Sequence, residues 1–124
     1  MNEPKRILIV DDDPRNIFAL EATLKAKGYN CLTANSAMEG IELLKTDAGI
    51  NIVLMDIMMP DMDGYEALTR IRKMNGMNNL PIIAVTAQAM VGDREKCLAA
   101  GANDYISKPI NVDHLMAILK EYQS

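Results

Sequence analysis

Short runs that are apolar at every position alternate with longer stretches in which apolar residues recur three and four apart. The runs ILIV at 7–10, IVLM at 52–55 and IIAV at 82–85 contain no polar position. A strand with one wet face alternates. A strand with no polar position is covered on both faces, as in a parallel sheet between two helical layers. Strands are therefore predicted at 6–10, 29–34, 52–55, 81–85 and 104–106, with 29–34 mixed enough to be an edge.

Between these runs the period is helical. Ile17, Leu20 and Leu24 form one stripe, Ile41 and Leu44 another, Leu68 and Ile71 a third. Ser36 followed by Glu39 reads as a capping box, and Gly28, Gly49 and Gly101 fall where helices should finish. Helices are predicted over 14–27, 37–46, 65–74, 89–100 and 112–121. Five strand–helix units in 124 residues predict one α/β domain over 1–124. Its architecture is a doubly wound parallel sheet with right-handed crossovers and helices on both faces.

Composition narrows the function. Hydrophobic content of 49% and charged content of 24% are those of an ordinary soluble domain. A net charge of −4 leaves no basic footprint, so no direct nucleic-acid partner is expected. The start MNEPKR leads into only four apolar residues, too few for a signal peptide or a membrane span, which makes a cytoplasmic protein the expectation. Cys31 and Cys97 lack metal-ligand spacing and are expected to be reduced packing residues. The single histidine, His114, is expected on a helix surface and argues against a zinc site.

In open α/β sheets, sites form beyond the carboxyl ends of the strands, where the strand order reverses. The residues just past each predicted strand are therefore informative. Asp11 and Asp12 come after the first, Asp56 after the third, Thr86 after the fourth, and Ser107 and Lys108 after the fifth. Asp13 precedes Pro14 and is explained as a helix N-cap. Capping does not explain Asp11, Asp12 or Asp56. Adjacent carboxylates raise the cost of ionising one another, so three together call for a cation. A hard ion with oxygen ligands fits, Mg²⁺ best. Magnesium, carboxylates and a lysine point to phosphoryl chemistry, in which an aspartate can itself form an acyl phosphate.

VDDD at 10–13, LMDIMMPDMDG at 54–64, VTA at 85–87 and DYISKP at 104–109 resemble the receiver domain of two-component response regulators across essentially the whole chain. That resemblance implies a flavodoxin-like (βα)₅ fold with strand order 2-1-3-4-5. It implies a phosphoacceptor rather than an enzyme, with Asp56 taking the phosphoryl group from a phosphohistidine on a sensor histidine kinase or histidine phosphotransfer protein. Asp11, Asp12 and Asp56 would bind Mg²⁺ with the backbone carbonyl of Met58. Lys108 would stabilise the phosphoryl group, and its bond to Pro109 is expected to be cis. Thr86 and Tyr105 match the family's switch pair, with a downstream protein read through the fourth helix and fifth strand. The resemblance also implies that Met58 and Gln88 occupy positions that vary within the family and tune dephosphorylation.

The stretch 87–100 resembles receivers of hybrid histidine kinases and small stand-alone regulators. Only 121–124 come after the last helix, so the chain is expected to be either a stand-alone regulator, which Met1 favours, or a receiver from a longer chain. An alternative is an aspartyl-phosphate phosphatase of the haloacid dehalogenase type. Its D-x-D-x-[TV] signature fails here, because proline and arginine come directly after Asp13. A flavin or nucleotide module would need a glycine-rich loop where this chain is acidic.

Overall fold

The computed structural model describes residues 6–47, 49–74, 76–87 and 92–123. Strands β1 (Arg6–Val10), β2 (Asn30–Ala34), β3 (Ile52–Asp56), β4 (Ile82–Thr86) and β5 (Asp104–Ser107) alternate with helices. The helices are α1 (Pro14–Ala26), α2 (Ala37–Thr46), α3 (Gly64–Lys73), α4 (Asp93–Ala100) and α5 (Val112–Gln123). All strand pairs are parallel, in the order β2-β1-β3-β4-β5. The chain steps outward from β1 to β2 and then returns past β1 to β3. The strand order therefore reverses between β1 and β3.

The helix ends are set by local chemistry. Asp13 is the N-cap of α1, in extended conformation, accepting from Arg15 N at 2.9 Å with Pro14 next in the chain. At the other end Gly28, at φ +93°, supplies the left-handed turn, and Tyr29 N donates to Leu24 O at 3.0 Å. Ser36 caps α2 by accepting from Glu39 N, and the Glu39 carboxylate returns to Asn35 N. The end of α2 falls where its predicted range puts it, with Gly49 just beyond. The helix stops at Thr46, whose hydroxyl turns back on the Glu42 and Leu43 carbonyls. Asp47 then goes extended and binds Arg6 of β1 at 2.6 Å. The predicted start of α4 at 89 lies outside the described residues, and Gly92, at φ +92°, immediately precedes Asp93.

Alternate residues of each strand feed opposite faces. Leu8, Val10, Val53, Met55, Ile82 and Ala84 pack with α2, α3 and α4 through residues such as Ile41, Leu68 and Cys97. Ile7, Ile9, Ile52, Leu54, Ile83 and Val85 pack with α1 and α5 through Leu24, Leu115 and Leu119. This is why the strands are apolar throughout. Among the described residues no helix is long and apolar enough to cross a membrane. Cys31 and Cys97 are free thiols, and exposed His114 sits in the first turn of α5 with its N–H on the Asn111 side chain.

Arg72 fastens the sheet's opposite end. Its guanidinium donates to Gly101 O, Met77 O, Leu80 O and Asn103 Oδ1 at 2.6 to 2.8 Å, and Asn103 Oδ1 also accepts from Ile82 N. Gly101 permits this approach, since a Cβ there would lie 2.8 Å from Arg72 Cγ. Arg72→Ala is expected to destabilise the domain by about 2–3 kcal/mol, because several carbonyls lose a charged donor together. Arg72→Lys should recover less than half of this, since an ammonium cannot reproduce the planar fork. Urea denaturation of the three proteins measures both effects.

Candidate functional site

Strand register brings the predicted residues to one edge. Val10 pairs with Met55, Asp56 with Val85, and Thr86 with Ser107. Asp11 thus stands one residue beyond β1, Asp56 and Thr86 end β3 and β4, and Lys108 stands one beyond β5. Apart from tyrosine and cysteine, the buried polar side chains among the described residues are Asp11, Asp56 and Thr86. All three are at this edge.

Lys108 Nζ donates to Asp11 Oδ2 at 3.1 Å and to Asp56 Oδ2 at 3.2 Å. The other oxygens are held by backbone amides: Asp13 N donates to Asp11 Oδ1 and Met58 N to Asp56 Oδ1, each at 2.9 Å. Asp12 is exposed, yet one oxygen each of Asp11, Asp12 and Asp56 lie within 4.8 Å of one another. Lys108 N donates to Thr86 O at 2.7 Å, and the Lys108–Pro109 peptide is cis.

Burial raises the Asp56 carboxyl above the usual range, and the neighbouring Asp11 charge adds to this. The Met58 N–H and the Lys108 charge pull the other way and do not outweigh it. Burial alone would lower the Lys108 ammonium, but its bonds and charge interactions with Asp11 and Asp56 hold it above its usual value. Lys108 therefore stays protonated. One ammonium cannot neutralise three carboxylates, and the remaining donors are all oxygen. That set fits a hard divalent cation, with Asp11, Asp12 and Asp56 as the residues that would hold it.

The remaining expected residues lie around this cluster. Met58 lies two residues past Asp56, half exposed, in an open cleft of about 530 Å³ whose walls include Asp12, Ile57, Pro60 and Tyr65. Tyr105 is not brought into the carboxylate cluster. It pairs with Ala84, two residues before Thr86, and packs half-buried against the core beneath α4. Burial pushes its phenol up, with Asp93 and Cys97 of α4 contributing. Gln88 lies outside the described residues.

Gly64 closes the 54–64 stretch, although the sequence reading assigns it no role at the site. Gly64 N donates to Ile57 O at 3.1 Å, and a Cβ on Gly64 would fall 2.5 Å from Ile57 Cα. The start of α3 is thus pressed against the backbone that leaves Asp56. A glycine as a first helical residue, behind an aspartate cap, is the signal that could have marked it.

The response regulator receiver domain model matches residues 7–120, and the chain belongs to that family. Sensor histidine kinase RcsC of Salmonella typhi is 40% identical over 121 residues, 98% of this chain and 12% of that protein. Signal transduction histidine-protein kinase BarA of Escherichia coli K12 is 38% identical over 117 residues, 94% of this chain and 13% of that protein. The chain spans about an eighth of these curated relatives. A CheY-like receiver domain from Methanospirillum hungatei JF-1 is 36% identical, with TM-score 0.86, covering 95% of this chain and 92% of its own. A sensor histidine kinase receiver domain from Pseudomonas aeruginosa PAO1 is 37% identical, with TM-score 0.88, covering 96% and 97%. That structure is described with a magnesium ion coordinated in its active-site cleft. The fold is the flavodoxin-like receiver fold, the chain is a two-component signalling domain, and the phosphatase alternative gains no support.

The raised pKa of Asp56 fixes the sign of a pH effect. A carboxyl whose folded value is raised contributes stability below its unfolded value and loses it as pH rises through the folded one. With metal chelated, Asp56→Asn is therefore expected to unfold at higher urea than wild type near pH 7. The advantage should shrink as the medium is made acid, because the wild-type carboxyl takes up its proton in the folded state before it would in the unfolded chain. Paired urea titrations in EDTA at neutral and acid pH check this.

Proposed function

We propose that this domain accepts a phosphoryl group on Asp56 from a phosphohistidine of a sensor histidine kinase or histidine phosphotransfer protein. The observation that carries the reading is the buried Asp56 carboxylate, bonded to Lys108 and clustered with Asp11 and Asp12. An Asp56 oxygen attacks phosphorus, the bond to the donor imidazole nitrogen breaks, and an acyl phosphate results. Mg²⁺ held by Asp11, Asp12, Asp56 and the Met58 carbonyl would offset charge on the transferring group when bound. Lys108 exchanges its bond with the carboxylate for one with the phosphoryl oxygens, keeping a full positive charge beside them.

The new oxygens then draw the Thr86 hydroxyl, and Tyr105 turns inward behind it, altering the surface of α4 and β5 for a downstream protein. The proposed setting is cytoplasmic, without direct nucleic-acid or membrane contact.

Incubation with Mg²⁺ and a small acyl-phosphate donor should add one phosphoryl mass to the wild type and none to Asp56→Asn. Equal mass gain by the variant would place the acceptor elsewhere. A second experiment divides chemistry from signalling. Thr86 offers a neutral hydroxyl worth about 1 kcal/mol, enough to bias a loop but little for a transfer barrier. Thr86→Ala should thus accept phosphate yet show much smaller amide shifts at Tyr105 and α4. Lys108→Ala should accept it more slowly and lose those shifts as well.

A further inference from the structure

The loop between β3 and α3 is tied to a helix distant in sequence. Asp61 Oδ1 accepts from Ala37 N and Asp61 Oδ2 from Met38 N, both at 3.3 Å. Ser36 Oγ takes the next amide, Glu39 N, at 3.1 Å. The three amides at the start of α2 are all bonded, two of them by a side chain 23 and 24 residues away. A carboxylate at this end of a helix is favoured by the helix dipole as well as by the unpaired amides.

The same loop carries Met58. Its beginning is fixed by Ile57 N on Val85 O at 2.9 Å and by Met58 N on Asp56 Oδ1. Its end is fixed by Gly64 N on Ile57 O. Between these points Met59 and Met62 are buried, Pro60 restricts the backbone, and Asp61 bonds to α2. The Asp61 oxygens are engaged with α2, and its carboxylate is not among the three that cluster.

We propose that Asp61 is a positioning residue for the cation site: it clamps the β3–α3 loop to α2 so that the Met58 backbone stays beside the three carboxylates. This rests on the reading of Asp11, Asp12 and Asp56 as Mg²⁺ ligands. It couples the start of α2 to metal loading, although α2 contributes no ligand.

Mg²⁺ titration of the metal-free protein, monitored by amide chemical shifts, tests the clamp. Asp61→Ala should weaken Mg²⁺ binding about tenfold, the low end for groups that orient ligands. Asp61→Asn keeps one acceptor oxygen and should recover part of the loss. Mg²⁺ should also shift the Ala37 and Met38 amides in the wild type but not in Asp61→Ala. Wild-type affinity in Asp61→Ala would overturn the proposal. So would Asp61→Asn binding as weakly as Asp61→Ala, which would mean that charge rather than position matters. Asp12→Ala separates the two levels. If it loses binding while Asp61→Ala does not, only the clamp is wrong. If it binds like wild type, the cation site is wrong and the clamp falls with it. The Asp61→Asn titration carries the test should Asp61→Ala fail to fold.

Discussion

Two buried carboxylates share one ammonium at the carboxyl edge of the sheet, and most of the structure can be understood from that arrangement. Taking a charge out of water costs several kcal/mol per ion unless partners replace the lost hydration. Lys108 reaches both Asp11 and Asp56, and backbone amides take the remaining oxygens. The charge balance still remains short, because Asp12 adds a third carboxylate at the mouth. The cost falls on the fold in the absence of a cation. Stability is therefore supplied elsewhere, by a sheet covered on both faces and by the Arg72 network at its other end.

Parallel pairing makes that edge possible. Every strand points the same way, so residues from four strands end together although the strands are far apart in sequence. The rigid part is the register, set by apolar side chains that can face only one layer or the other. The adjustable part is the loops that continue from the strand ends. Thr86 belongs to the first class and Met58 to the second. Tyr105 lies between them in character, on a strand yet packed beneath the shortest helix.

Much of this is legible in the sequence because it is written in short-range signals. Uniformly apolar runs announce a doubly covered sheet, and the polar residues just past those runs locate Asp11, Asp12, Asp56, Thr86 and Lys108. The hydrophobic pattern stops one residue short of the strand ends at β3, β4 and β5, since Asp56, Thr86 and Ser107 are polar but still paired. The end of α2 at Thr46 is legible too, but not the contact just past it, in which Asp47 reaches Arg6, a partner 41 residues away. Gly64 and Asp61 stand within the 54–64 stretch, but their roles in the structure are not legible there. Asp61 acts on amides of α2, a segment distant in sequence, and Gly64 on the Ile57 backbone across the loop, closures that the pattern of residue types does not display.

The β3–α3 loop shows why such contacts matter more than their individual strengths. A single hydrogen bond contributes roughly 1 kcal/mol net, and two at 3.3 Å are not strong ones. Yet the loop is held by unlike devices at successive points: an amide on β4, an amide on the Asp56 carboxylate, the Asp61 bonds to α2, and a glycine that admits α3. Each removes a different direction of movement. A site whose charge is unbalanced needs that restraint, because its carboxylates would otherwise relax apart toward water and lose the spacing a shared cation requires. On the proposed reading, the repulsion within the cluster is what makes cation binding favourable, and the loop contacts prevent the protein from relieving it in any other way.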